Sequence, residues 1–319
     1  MVRSQAVINS VLFGAALNVM GSIAATAADY PEAMRGSFPS DWSSPEMENP
    51  ISFELGMRYW YSMGAHKLTN GGNTYTANDT SHVLEGHFRI NDASTNSYAK
   101  GQLGYAAVIA GNYSTWTSGG EQAIQGGTLG YAGADLGFLP FGTDSFRFGG
   151  FAGYQYSNDS PNMDRAGFTT SGGGGDSRPN NIEFHSLRLG VVGKADIADM
   201  VDLNVEAAAI PYARMGGTYG TFASGAFTSG GTNYVQGSAA TLEGNLYGAA
   251  GEVMLGVHPT QNLTLRVGGR ASYLTGPATL YFTAREDGTP ANQQNFFSAI
   301  TELSFLRYGL LAEITGSFQ

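Results

Sequence analysis

From Ile51 onward, apolar and polar residues alternate with a period of two. The first run reads ISFELGMRYWYSMG. Ile51, Phe53, Leu55, Met57, Tyr59 and Tyr61 share one parity, and Ser52, Glu54, Gly56, Arg58, Trp60 and Ser62 share the other. One apolar face and one mostly polar face is the pattern of a strand with a wet side. The pattern recurs over 51–66, 81–91, 97–109, 125–138, 145–157, 182–197, 201–215, 241–257, 262–275 and 299–318, which predicts ten strands. The connectors alternate in length. Asn91–Thr95, Leu139–Asp144, Ala198–Met200 and Pro259–Gln261 are short, and Lys67–Thr80, Ala110–Ile124, Asn158–Asn181, Gly216–Ala240 and Gly276–Ser298 are long. Short turns on one side and long loops on the other are the layout of a transmembrane antiparallel up-and-down β-barrel. In that setting the apolar face meets lipid and the polar face lines the lumen. A soluble small barrel would have fewer strands and no consistent side for its long loops.

Aromatic residues refine the picture. Phe53, Phe138, Phe141 and Phe146 fall toward the short-turn ends, and Tyr59, Tyr61, Tyr154, Tyr156 and Tyr273 toward the long-loop ends, as two interfacial belts require. In the last strand Tyr308, Leu310, Ala312, Ile314 and Phe318 share one parity. A terminal aromatic on an alternating strand is the form of a substrate of the barrel-assembly machinery, and Tyr308, Leu310, Ile314 and Phe318 are the expected assembly signal. Gln319, which follows Phe318, departs from that form.

Composition agrees with a membrane barrel. The 319 residues include 46 glycines and no cysteine, and only 13% are charged, well below the globular norm. Beyond the N-terminus no apolar run reaches the length of a transmembrane helix, so a closed barrel is the remaining way to satisfy the backbone in lipid. Three segments are expected: a signal peptide over 1–27, a periplasmic lead-in over 28–50, and the barrel over 51–319. Arg3, the apolar stretch Val7 to Ala25 and Ala25-Thr26-Ala27 fit export with cleavage after Ala27 or Ala28. Pro31, Pro39, Pro45 and Pro50 argue against a strand in the lead-in. The expected location is the outer membrane of a Gram-negative cell.

A net charge of −10 without a basic stripe argues against nucleic-acid binding. The absent cysteine removes disulfides, thiol catalysis and thiolate metal sites. The SGGGGDS run at 171–177 lacks the Gly-Lys-Ser/Thr of a phosphate loop, and Glu286-Asp287-Gly288 lacks a calcium-loop series. His66, His82, His87, His185 and His258 show no metal spacing, and the adjacent His185 and Ser186 point to opposite faces of a strand. No cofactor, metal or catalytic residue is assigned. The expected partners are outer-membrane lipid and lipopolysaccharide, the assembly machinery, and an extracellular ligand held by the loops.

Ten strands with long outer loops resemble the omptin architecture. The runs SFRFGGFAGYQYSND and SLRLGVVGKADIADMVDLNVEAAAIPYARMGG also look like those of outer-membrane barrels of α-proteobacteria. The omptin resemblance implies a surface protease with an aspartate pair and an Asp–His dyad facing each other across the outer mouth to activate a water. The second long loop carries Glu121 and no aspartate, and Pro211-Tyr212-Ala213-Arg214 leads into a loop with neither Asp nor His. The motif does not carry over at either place. His66 with Asp79, and His185 with Asp159, form the alternative arrangement.

The leading expectation is a non-enzymatic barrel with a structural or surface-interaction role; an omptin-like protease and a small porin or narrow channel are the rivals. Ten strands should be nearly closed, since about eight leave an interior that side chains fill. The polar faces carry Glu54, Arg58, Glu85, Arg89, Lys100, Asp135, Arg147, Lys194, Glu206, Glu252, Arg266, Arg270, Arg307 and Glu313, expected to plug the lumen as a charge network. Antiparallel neighbours suggest Asp135 with Arg147, Lys194 with Glu206, Glu252 with Arg266, and Glu313 with Arg58 or Arg266.

Overall fold

The computed structural model describes residues 50–143, 145–170, 173–287 and 289–318, all within one compact unit. The expected signal peptide and nearly all of the lead-in lie outside the described residues. Among those described, no helix is long and apolar enough to cross a membrane.

The chain is a sequence of strands: β1 (Ile51–Asn70), β2 (Asn73–Asp92), β3 (Ser97–Ser114), β4 (Gln122–Gln125), β5 (Gly127–Thr143), β6 (Phe146–Pro161), β7 (Gly167–Thr170), β8 (Gly173–Asp176), β9 (Asn181–Ala198), β10 (Val201–Tyr219), β11 (Phe227–Ser229), β12 (Thr232–Gln236), β13 (Ala240–Thr260), β14 (Leu263–Thr275), β15 (Ala278–Glu286), β16 (Thr289–Ala299) and β17 (Glu302–Phe318). Ten of them, β1, β2, β3, β5, β6, β9, β10, β13, β14 and β17, pair antiparallel in chain order, and β17 returns to β1, so the barrel closes. These are the ten strands that the alternation predicts. The closing seam is long and regular, from Phe53↔Phe318 to Thr69↔Glu302.

The side-chain parity follows the sequence. In β1, Gly56, Arg58, Trp60 and Ser62 are buried in the lumen, while Leu55 and Met57 are 64% and 62% exposed on the outer wall. The exposed wall is banded. Phe53, Phe138, Phe141, Phe146, Phe148 and Phe318 ring the short-turn end, and Tyr59, Tyr61, Tyr105, Tyr154, Tyr212, Tyr247, Tyr273 and Tyr308 ring the other. A phenol has an apolar body and a polar tip, which suits a headgroup boundary. Tyr308, Leu310, Ile314 and Phe318 of the expected assembly signal all face outward.

Two expectations about the connectors need correction. Lys67–Thr80 is not a long loop: β1 and β2 run on to Asn70 and Asn73, and only Gly71 and Gly72 join them. Both glycines have positive φ, 55° and 89°, which is what a two-residue hairpin turn demands. Their strands hold 20 residues each, about twice what a bilayer needs, so the ribbon stands well above the lipid. The other long connectors contain strands of their own. β4 extends the sheet along β3, β7 pairs β8, β11 pairs β12, and β15 pairs with both β13 and β16. Pro211 sits where the register of β10 slips against both neighbours, between Ile210 and Ala213 on the β13 side and Ala209 and Tyr212 on the β9 side. A residue without an N–H is accommodated at a bulge.

Candidate functional site

The polar faces of all ten barrel strands converge on the lumen. At mid-depth the guanidinium of Arg58 reaches Glu85 at 3.1 Å, Glu252 at 3.3 Å and Glu313. Arg270 spans Glu85 at 2.8 Å and Glu252 at 2.7 Å, with the Tyr131 hydroxyl donating to Glu85. Arg266 joins Glu313 at 2.9 Å to Asp202 at 3.1 Å, and His258 Nε2 lies 2.6 Å from that aspartate. Beside this cluster stand Lys100 with Glu206 at 2.8 Å and Arg188 with Asp135 at 2.9 Å. Apart from His258, which is partly exposed, these side chains are largely out of solvent, and an unpaired charge there would cost several kcal/mol.

The partners differ from those inferred from neighbouring strands. Asp135 pairs with Arg188, not Arg147; Glu206 with Lys100, not Lys194; Glu252 with Arg270, not Arg266. Glu313 takes both Arg58 and Arg266. Two causes act. Strand stagger moves charges of similar sequence offset to different depths. Arg147, next to the β5–β6 turn, is exposed at the short-turn mouth, too low to reach Asp135. The narrow bore also lets long side chains cross it: Lys100 on β3 meets Glu206 on β10, with three strands between them around the wall. Lys194 borders the same lower cavity as Glu54 and Arg89 without a direct ion pair. Arg89 donates to Asn91 and lies 3.7 Å from the Tyr98 ring centroid, and Asn91 donates to Glu54.

Glycines make room for this belt. A Cβ on Gly153 would lie 1.8 Å from Asp135 Oδ1, and one on Gly64 would lie 2.3 Å from Asp79 Oδ1. At both positions only a bare Cα lets the carboxylate approach the wall.

Above the belt is a cavity of about 100 Å³, bordered by Trp60, Tyr131, Gln102, Gln155, Phe184 and Phe305. Its roof is a second ionic cluster that sequence reasoning only half anticipated. Arg307 donates to Asp79 at 2.9 and 3.1 Å, to Asp159 at 2.7 and 2.8 Å, and to Ser62 at 3.1 Å. His66 Nε2 lies 3.3 Å from Asp159, and its ring, Asp79 and Asp159 place ligand-type atoms within 4.8 Å of one another. The suggested pair of His185 with Asp159 does not form. His185 is on the outer wall, bonded to the Tyr154 hydroxyl at 2.6 Å. His87 is in the lumen, its Nε2 3.2 Å from the Thr315 hydroxyl.

Higher still, the outer mouth is filled with apolar side chains. Leu68, Tyr75, Ile182, Phe184, Met215, Phe222, Leu242, Leu246, Leu280, Phe282 and Leu303 form one buried cluster from barrel strands and loop strands together. Nothing in the alternation pointed to it. Its signal was the apolar content of stretches assigned to loops, notably Tyr75, Phe222 and Leu280-Tyr281-Phe282.

No family model matches the sequence. No curated protein matches it either. Among solved structures, the outer membrane protease OmpT of Escherichia coli is similar, with a TM-score of 0.56 at 12% identity over 84% of this chain and 96% of that one. The translocator domain of the autotransporter NalP of Neisseria meningitidis aligns at a TM-score of 0.37 and 11% identity, covering 86% and 90% of the two chains. The toluene transporter TodX of Pseudomonas putida aligns at 0.31 and 11%, covering 85% and 89%. At 12% identity the likeness to OmpT is one of fold: the chain has the barrel fold of outer-membrane proteins.

Proposed function

We propose that this chain is an integral outer-membrane barrel with a closed lumen and a structural or surface-interaction role, carried by its extracellular rim. The observation that supports it is the double closure, an apolar cluster at the outer mouth over an ion-paired belt. Ten strands leave too little width for water to pass once these side chains are in place. The outward residues of β17 would serve the assembly machinery, and the tyrosine belt would meet lipopolysaccharide. The outer-membrane location and the cleaved leader belong to the same proposal.

The protease reading has one observation in its favour, the juxtaposition of His66, Asp79 and Asp159. Against it, Arg307 already holds both carboxylates in two-point ion pairs, and the cluster lies beneath the apolar cap rather than open to the outside. A general base needs a free lone pair within reach of a water that meets substrate. The deciding experiment joins planar-bilayer recording to a peptidase assay with folded protein and lipopolysaccharide. No steady conductance and no cleavage are expected. A large, stable, ion-selective current would establish a porin, and cleavage lost in His66→Ala would establish the protease.

A further inference from the structure

The β15–β16 hairpin ends in a strand with one bare edge. β16 pairs with β15 in uniform register from Thr279↔Ala299 to Arg285↔Gln293, and among the described residues no strand lies on its other side. Hydrogen bonding at its base identifies what that edge presents. The Ile300 N–H donates to the Ala278 carbonyl at 2.9 Å, so by antiparallel alternation the backbone groups of Ser298, Phe296 and Gln294 also turn toward β15. Those of Ala299, Phe297, Asn295 and Gln293 turn away. Asn70 Nδ2 donates to the Ala299 carbonyl at 3.0 Å. Phe297, Asn295 and Gln293 keep three N–H and three C=O groups open.

The side chains suit pairing. Asn292 to Ala299 carries no charge, although the whole chain is at −10. On the inner face Phe296 is anchored 4.9 Å from the ring centroids of both Phe227 and Tyr234. On the outer face Phe297 is 76% exposed, the most exposed large apolar side chain among the described residues. Proteins usually blunt such edges with charge, bulges or proline. Here Pro290 precedes the open stretch and leaves it unprotected. Uncharged segments of about six residues rich in Asn, Gln and aromatics are those that pair strand to strand.

We propose that this edge docks a second copy of the chain by antiparallel β16-to-β16 pairing centred on Asn295. The proposal rests on the reading of the outer rim as an interaction surface and names its partner. Centring on Asn295 sets each Gln293 opposite the other copy's Phe297 and the two Asn295 opposite each other. All three are edge-facing pairs, so every open backbone group finds a partner and no like charges meet. The two-fold axis runs normal to the hairpin. β15 continues the wall beside β13, from Gly244↔Ala278 to Thr241↔Tyr281, so that normal is roughly radial to the barrel. Rotation about it inverts the barrel axis, and the paired copies sit in facing membranes, rim to rim.

The test uses the whole folded protein, first in micelles by sedimentation and then in lipid vesicles by turbidity. Asn295→Pro loses no internal bond because its N–H faces the open edge, and Phe297→Asp serves as a second variant. Heat-modifiable gel mobility verifies that both fold. A dimer weakened about tenfold or more by each substitution, and vesicle clustering by unsubstituted protein alone, are expected. A monomer at all concentrations, or a dimer indifferent to both substitutions, overturns the proposal while leaving the closed-lumen reading intact. Dimers without clustering overturn the antiparallel register. Binding of an unrelated uncharged β-forming peptide without self-association overturns the choice of a second copy.

Discussion

Replacing Arg307 by methionine keeps the volume of the side chain and removes its charge. In the folded barrel that arginine makes five hydrogen bonds, four of them to Asp79 and Asp159. The Asp79 side chain has no exposure and that of Asp159 has 13%, so neither carboxylate recovers full hydration when its partner goes. Breaking a buried pair from one side costs about 3–5 kcal/mol, mostly through the charge left behind. Arg307 serves two acids, which pushes toward the upper figure, and the partial exposure of Asp159 pulls back. We therefore expect Arg307→Met to lose roughly 3–5 kcal/mol in urea titrations of vesicle-folded protein, followed by the heat-modifiable gel shift. Adding Asp79→Asn should recover more than adding Asp159→Asn, because Asp79 is the more deeply buried. A loss below about 1 kcal/mol for Arg307→Met, or equal rescue by the two asparagines, would refute the electrostatic argument.

Two further outcomes follow from other parts of the chain. Gly153→Val should destabilise the barrel by about 3 kcal/mol or more, since even its Cβ meets Asp135 Oδ1 at 1.8 Å and must break the Arg188 pair; a near-neutral result in the same titration would show that the wall can yield there. The mature protein, extracted from membranes and weighed intact, should begin at Ala28 or Asp29, and a mass that includes Met1 would exclude the cleaved leader.

The strands were legible because their signal is local. Alternation in β1 or β17 reports two environments within a few residues, and each predicted strand exists near its expected place. The β1–β2 ribbon was read as a loop from residue 67 because its outer face turns polar above the lipid, with Lys67, Thr69, Thr74 and Thr76, while Leu68, Tyr75 and Ala77 turn inward, which reverses the parity of the lower strand. The charges of the belt could be placed on the lumen side by parity, but their partners could not. Pairing across the bore depends on stagger and on side-chain reach, and Arg188 and Asp202 were passed over because only neighbouring strands were compared, while Asp79, set beside His66, was kept out of the network by the assignment of 67–80 to a loop. Arg188 shares the parity of Lys194 in β9, and Asp202 that of Glu206 in β10, so a count across the lumen would have found both. The apolar cap was hidden more deeply: its residues come from segments distant in sequence, and only closure of the barrel gathers them.

Glu313 accepts from Arg58 on one neighbouring strand and from Arg266 on the other, and its own strand is the last to be made. Every earlier strand can enter the sheet while those two arginines still lack their shared counter-ion. Before that, Arg58 has Glu85 and Glu252 and Arg266 has Asp202, so each is held by one acidic partner fewer. Arrival of β17 therefore zips the backbone seam and, in the same step, sets one carboxylate between the two edges it joins. The first and ninth strands of the barrel are thereby tied to each other through a single side chain of the tenth.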